Sequence, residues 1–165
     1  VKKCNLTSPG ARRLIGVISD THGLLRPEAT RALAGVDLIV HAGDIGNPEI
    51  LGELRKIAPV AVIKGNNDNG HWARRLPDVR AVKVGQHKLY VIHDVHDLDF
   101  DPAKRNFGAV ISGHSHKPSV SEKDGVLFLN PGSSGPRRFK LPVAVGKILI
   151  QGAHLRAKII ELAVR

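Results

Sequence analysis

The stretch LIGVISDTHG, residues 14–23, decides the fold. Its first six residues, Leu14 to Ser19, form a short apolar run of the kind shown by a strand buried on both faces. The run then breaks into the polar turn Asp20-Thr21-His22-Gly23. Two later segments repeat the pattern: DLIVHAG (37–43) is followed by Asp44, and VAVIK (60–64) by Gly65-Asn66-Asn67-Asp68. Helix signals lie between them. Arg26-Pro27-Glu28 opens a helix through Ala34, with Pro27 suited to the first helical position. Asn47-Pro48-Glu49 caps a second helix, in which Ile50, Leu54 and Ile57 recur on one face and which Pro59 stops. The order β-α-β-α-β predicts parallel strands joined by right-handed crossovers.

The second half has a different texture. RAVKV (80–84) and HKLYVIH (87–93), joined by Gly85-Gln86, predict a hairpin. A short helix is expected over 102–106 and a strand over AVIS (109–112). GVLFLN (125–130), VAVGKILI (143–150) and LRAKIIEL (155–162) predict further strands, the last two alternating in the manner of one buried face. Parallel units followed by antiparallel strands predict an α/β (α+β) architecture, two mixed β-sheets facing each other with helices outside. Residues 1–13, interrupted by Pro9-Gly10, read as an irregular lead-in. The remainder, 14–165, reads as one domain, in keeping with 165 residues at about 150 per domain.

Composition narrows the partners. Hydrophobic residues make up 42% and charged ones 24%, ordinary for a soluble globular protein. The one cysteine, Cys4, excludes an intramolecular disulfide framework and a multi-cysteine zinc site, favours a cytoplasmic address, and reads as an inert thiol. The N-terminal residues lack an apolar core, and nowhere do about 18 apolar residues run together, so neither a signal peptide nor a membrane span is expected. The formal charge of +10 favours anionic partners in general. The basic residues, however, fall in pairs (Lys2–Lys3, Arg12–Arg13, Arg74–Arg75, Arg137–Arg138). Four Phe, one Trp and one Tyr offer little base stacking. A solvated basic surface is therefore favoured over a nucleic-acid groove.

The chemistry-bearing residues sit at the C-terminal ends of the apolar runs, the edge at which open α/β sheets bind ligands. They are Asp20 and His22, Asp44, Asn66 to Asp68, His93, and His114 and His116 within Gly-His-Ser-His. If strand geometry continues, Asp20 and His22 project to one side, and His114 and His116 likewise. Imidazoles with carboxylates suit Mn²⁺, Fe²⁺, Ni²⁺ or Zn²⁺. Two such ions bridged by one carboxylate would clamp a phosphoryl group and activate a water. Taken singly, each motif has a plainer explanation. Asp-x-His is common turn or capping chemistry, Asn66 and Asn67 tolerate left-handed turns, and His93 is an ordinary histidine at a sheet edge. The ordered set, every member at a strand end, is what those explanations leave over.

In this order, DTHG, GD, GNND, a lone strand-end histidine and GHSH, followed by Asn-Pro-Gly-Ser at 130–133, the chain resembles the calcineurin-like metallophosphoesterases, in particular their small YfcE-type branch. The resemblance runs from Leu14 to about Val164. It implies a four-layer αββα sandwich with a two-metal site on one edge. Asp20, His22 and His116 would hold the first ion, Asn66, His93 and His114 the second, and Asp44 would bridge both. Mn²⁺ or Ni²⁺ is expected first, with Fe²⁺ and Zn²⁺ as alternatives. The implied activity is hydrolysis of a small phosphoester, a phosphodiester in first place. The alternatives are a phosphomonoesterase and an interaction scaffold, since a retromer subunit shares the fold. A homo-oligomer, dimer or tetramer, is expected because relatives often form one.

Three departures from the family pattern bear on catalysis. Larger relatives have a histidine where this chain has Asn67, which can donate hydrogen bonds and orient phosphate but cannot deliver a proton. Relatives commonly have His-Gly-His where this chain has His93-Asp94-Val95-His96, which leaves His93 as the ligand and His96 as a candidate outer residue or acid. After Asn-Pro-Gly-Ser, only Ser134 and Gly135 precede Pro136-Arg137, one residue fewer than usual; Arg137 is the candidate phosphate contact. His41, His71, His87 and His154 belong to no motif, and His41 reads as structural.

Overall fold

The computed structural model describes residues 10–164; Cys4 and most of the expected 1–13 lead-in lie outside the described residues. The three parallel units form as the apolar runs predict: β1 (Arg13–Ile18), α1 (Pro27–Ala32), β2 (Leu38–His41), α2 (Glu49–Arg55) and β3 (Val60–Val62). Pro27 opens α1, and Asn47 Oδ1 accepts from the Glu49 amide at the entrance to α2. β1 pairs in parallel with β2, and β2 with β3. The remaining strands are β4 (Val79–Val84), β5 (His87–Ile92), β6 (Ala109–Ile111), β7 (Ser119–Lys123), β8 (Val126–Asn130), β9 (Ala144–Gln151) and β10 (His154–Glu161). They complete two mixed five-stranded sheets, ordered β10-β9-β1-β2-β3 and β4-β5-β6-β8-β7.

The sheets face each other through one apolar core, in which Ile15, Val17 and Ile63 meet Leu89, Ile111 and Leu129. A second core lies outside the first sheet, where Leu33, Ile50 and Leu54 of the helical segments cover Ile18, Ile39 and Val62. On the far side of the second sheet, Leu98 and Ala103 pack over Ile92, Val110 and Val126. The result is the expected αββα sandwich, with its fourth layer built from turns.

Three local expectations need correction. The segment 102–106 is a run of turns and not a helix. Asp101 Oδ1 caps the Ala103 amide, but the bonds that follow span three or five residues and not four (Asn106 to Ala103, 3.0 Å; Phe107 to Pro102, 3.0 Å), and Asn106 ends the segment in a left-handed conformation. So short a segment cannot repay the cost of helix nucleation. β7 was not foreseen because all five of its residues are exposed, so neither face carries an apolar period. The available signal was Asp124-Gly125, whose φ values of 52° and 76° make the tight hairpin turn into β8. β9 is buried almost throughout because it lies between β1 and β10, whereas the edge strand β10 alternates as expected.

Candidate metal centre

β1, β2, β3, β5 and β6 deliver the predicted residues from their C-terminal ends into one cleft. These side chains converge not by the expected strand alternation but through turns. Asp20, His22, Asp44, His114 and His116 have φ values of 55°, 44°, 54°, 67° and 59°. Left-handed backbone is uncommon outside glycine and clusters at functional sites, where surrounding structure holds the strain in place. Here the first two loops run side by side: the Asp20, His22 and Gly23 amides donate to the carbonyls of Gly43, Asp44 and Ile45 at 3.0, 3.0 and 2.8 Å.

Two buried residues clamp these loops: Asp68, chemistry-bearing by its strand-end position but assigned no role, and His41, expected to be structural. Asp68 accepts from the amides of Ile45, Gly46 and Gly65 at 2.9, 2.9 and 2.8 Å. His41 Nδ1 accepts from the Gly43 amide at 3.2 Å, and its Nε2 faces Thr21 Oγ1 at 3.1 Å. Membership in Gly-Asn-Asn-Asp was the only sequence signal for Asp68.

The side chains form two neighbouring groups. In the first, His116 Nε2 lies 3.3 Å from Asp20 Oδ1 and 3.2 Å from His22 Nε2. In the second, Asn66 Oδ1 lies 3.2 Å from His114 Nδ1, beside His93. Asp44 Oδ2 reaches both, 3.8 Å from His22 Nε2 and 3.4 Å from His93 Nε2. Asp20 is also near both, since it clusters with His22 and His116 and again with Asp44 and His93. Gly65 and Gly113 make room: a Cβ at Gly65 would overlap Asp44 Oδ1, and one at Gly113 would overlap Ser19 Oγ and crowd Asp20 Oδ2.

The donor chemistry fits divalent ions. Asp20 Oδ1, His93 Nε2 and His116 Nδ1 are buried without hydrogen-bond partners, a costly condition for polar atoms unless something else occupies them. His93 Nδ1 lies 2.7 Å from the Ala42 carbonyl, which only accepts. In the neutral ring the proton therefore sits on Nδ1, and the Nε2 lone pair is turned toward Asp44.

The charges of these groups are coupled. Burial opposes ionisation of Asp44, but its contact with His93 and two hydrogen bonds from Asn67 outweigh it and hold the carboxyl well below the usual range. Burial likewise opposes charging of His93, yet the Asp44 carboxylate and the Ala42 carbonyl raise its pKa to about 8. For His22 burial dominates over Asp44 and Asp20, and the pKa is lowered.

The remaining candidates stand further out. Asn67 binds Asp44 through its amide N–H (2.9 Å) and its Nδ2 (2.8 Å), which commits one of the two Nδ2 protons and leaves the other for a phosphate oxygen. His96 is 87% exposed, with Nδ1 2.8 Å from Asp94 Oδ1. Arg137 is exposed in the loop after Gly135, and it is Arg138 whose charge acts on His22. A cavity of about 520 Å³ opens beside Asn66, His93 and His114, with Lys64, Tyr90 and Asp99 on its walls.

The chain is similar to known proteins. The archaeal "Probable metallophosphoesterase" of Methanothermobacter thermautotrophicus is 38% identical over 160 residues, covering 90% of this chain and 92% of its own. Among solved structures, a novel archaeal phosphodiesterase matches with a TM-score of 0.74 at 23% identity, over 89% of this chain and 99% of that one. A Vps29 from Entamoeba histolytica, complexed with Zn²⁺, matches with a TM-score of 0.69 at 21% identity, over 90% and 98%. The family model for the calcineurin-like phosphoesterase superfamily domain matches residues 14–150, and the chain belongs to that family.

Proposed function

We propose that residues 14–165 act as one catalytic domain that hydrolyses phosphoesters, diesters in first place, at a centre of two divalent ions. Asp20, His22 and His116 hold one ion, Asn66, His93 and His114 the other, and Asp44 is shared. The observation that carries this reading is the pair of buried, unpartnered atoms Asp20 Oδ1 and His93 Nε2, which group with Asp44 where the strand ends meet. A mixed shell of imidazole, carboxylate and amide favours Mn²⁺ or Ni²⁺, with Fe²⁺ and Zn²⁺ next.

When bound, such ions supply positive charge to phosphate oxygens and acidify water to a nucleophile near neutral pH. The chain's own residues do the rest. Asp44 stays ionised and sets the distance between the two groups. Asn67 fixes Asp44 from below, through the two bonds described above. Arg137 and Arg138, on the loop beside His22, supply further positive charge for the phosphate. A water nucleophile removes the need for a serine or cysteine, so no covalent intermediate is expected. With an amide at position 67, the departing alkoxide takes its proton from water or from His96.

The alternative is an interaction scaffold. Since a Vps29 of this fold was crystallised with Zn²⁺, ion content alone does not separate the two readings; turnover does. The test combines elemental analysis with a panel of bis(p-nitrophenyl) phosphate, p-nitrophenyl phosphate and cyclic nucleotides. Two ions per chain, activity abolished by chelator and restored best by Mn²⁺ or Ni²⁺, and faster diester than monoester hydrolysis support the proposal. Ion binding without turnover on any ester favours the scaffold, and hydrolysis by metal-free protein refutes the mechanism.

A further inference from the structure

A ligand histidine works only if its ring is held, and the histidines of this centre are held differently. His93 donates Nδ1–H to Ala42 O at 2.7 Å. His116 is buried, its side chain 5% exposed. His114 has neither support, because its side chain is 44% exposed. What it has is a carboxylate. Its Nδ1 faces Asn66 Oδ1 at 3.2 Å, while its Nε2 points the other way, 3.5 Å from Asp94 Oδ2.

The carboxylate is itself anchored. Asp94 Oδ1 accepts from the His96 amide at 3.0 Å and from His96 Nδ1 at 2.8 Å, and it caps the short 3-10 turn Val95–Asp97. Its position is the one at which the chain departs from His-Gly-His. Glycine there has no acceptor to offer.

We propose that Asp94 is the positioning residue for His114: by accepting Nε2–H on Oδ2, it fixes the ring and leaves the Nδ1 lone pair beside Asn66 for the second divalent ion. This rests on the two-ion reading above. The chemistry follows from the partners. Both ring nitrogens face acceptors, Asn66 Oδ1 and Asp94 Oδ2; the carboxylate, being charged, is the stronger acceptor and takes the proton, which leaves the opposite nitrogen free to ligate alongside Asn66 Oδ1. His96, on the other oxygen of Asp94, buttresses the carboxylate and is not itself required for the ion.

The test uses the full chain stripped of metal by chelator and dialysed. Calorimetric titration with Mn²⁺ is compared for wild type, Asp94→Ala and His96→Ala, alongside nitrogen-detected spectra of the His114 ring in metal-free protein at pH 8. Asp94→Ala is expected to weaken one of the two sites by about 10–100-fold, the usual loss when a partner behind a ligand is removed. The other site should stay within about twofold, and His96→Ala should leave both sites near wild type. The spectra should show the Nε2–H form in wild type and lose that preference in Asp94→Ala, a readout that a purely structural cap would not move. An Nδ1–H form in wild type, or unchanged affinity at both sites in Asp94→Ala, overturns the proposal. Equal weakening of both sites overturns it too, because the effect is then general. If wild type takes up no second ion at all, the two-ion reading falls and this proposal with it; two ions in wild type with an indifferent Asp94→Ala defeats this proposal alone.

Discussion

Acidification should destabilise the metal-free protein through His41. The ring is fully buried in β2. Nδ1 accepts from the Gly43 amide, and Thr21 Oγ1, which faces Nε2, donates onward to Ile45 O at 2.9 Å. That order of donors requires a neutral ring with its proton on Nε2. Burial dominates over the attraction of Asp20 and Asp68 and lowers the pKa from 6.5 to about 4. Between those values the unfolded chain binds a proton that the folded chain refuses. Stability is therefore intact above about 6.5, falls as the pH drops, and has lost the whole contribution by about 4. At ~1.4 kcal/mol per pH unit for one proton, the interval is worth about 3 kcal/mol. Urea unfolding in chelator, from pH 7 to 4, should show wild type losing about 3 kcal/mol more than His41→Gln. The substitution itself should cost about 1–3 kcal/mol at pH 7, from the bonds it leaves unmade. His93 acts in a separate window: its raised pKa adds stability below 6.5 that is lost as the pH rises through about 8. Parallel acid profiles for wild type and His41→Gln would refute the reasoning.

Further outcomes follow from the same geometry. Asp44→Asn should reduce turnover more than substitution of any other single ligand while leaving the circular dichroism spectrum unchanged, because the strands are held by apolar burial; retention of a tenth of wild-type activity would remove Asp44 from its shared role. Gly65→Ala, whose methyl collides with Asp44 Oδ1 and the Asp44 amide, should cost about 10²-fold in kcat by displacing that carboxylate; near-normal kinetics would show that the loop shifts freely. Without a histidine at position 67, hydrolysis should favour acidic leaving groups such as nitrophenolates over alkyl esters, since general acid catalysis is worth about 10²–10⁴-fold. Asn67→His should narrow that gap, and His96→Ala should widen it if His96 delivers the proton; a wild-type rate independent of leaving-group pKa, with chemistry limiting, would show that an efficient acid lies elsewhere.

Local signals made much of this protein legible in advance. Leu14–Ser19 and the runs at 37–43 and 60–64 are apolar without alternation because parallel strands are covered on both faces, and Pro27 and Pro59 punctuate the chain through their own covalent geometry. Position at strand ends then singled out Asp20, His22, Asp44, Asn66, His93, His114 and His116, since residue type and place in a run are properties of the chain itself. Tertiary structure decided the rest. The candidate ligands converge through left-handed turns whose strain is held by loops from other strands, which no spacing rule contains. β7 exists because β8 offers an edge, not because its own exposed residues demand it. Asp68 and His41 clamp the ligand loops through partners more than 20 residues away or across a β-pair. Asp94 gains its role only where β5 and β6 lie side by side. Burial and hydrogen-bond partnership at a distance depend on which segments meet, and a linear pattern carries that information only for neighbours along the chain.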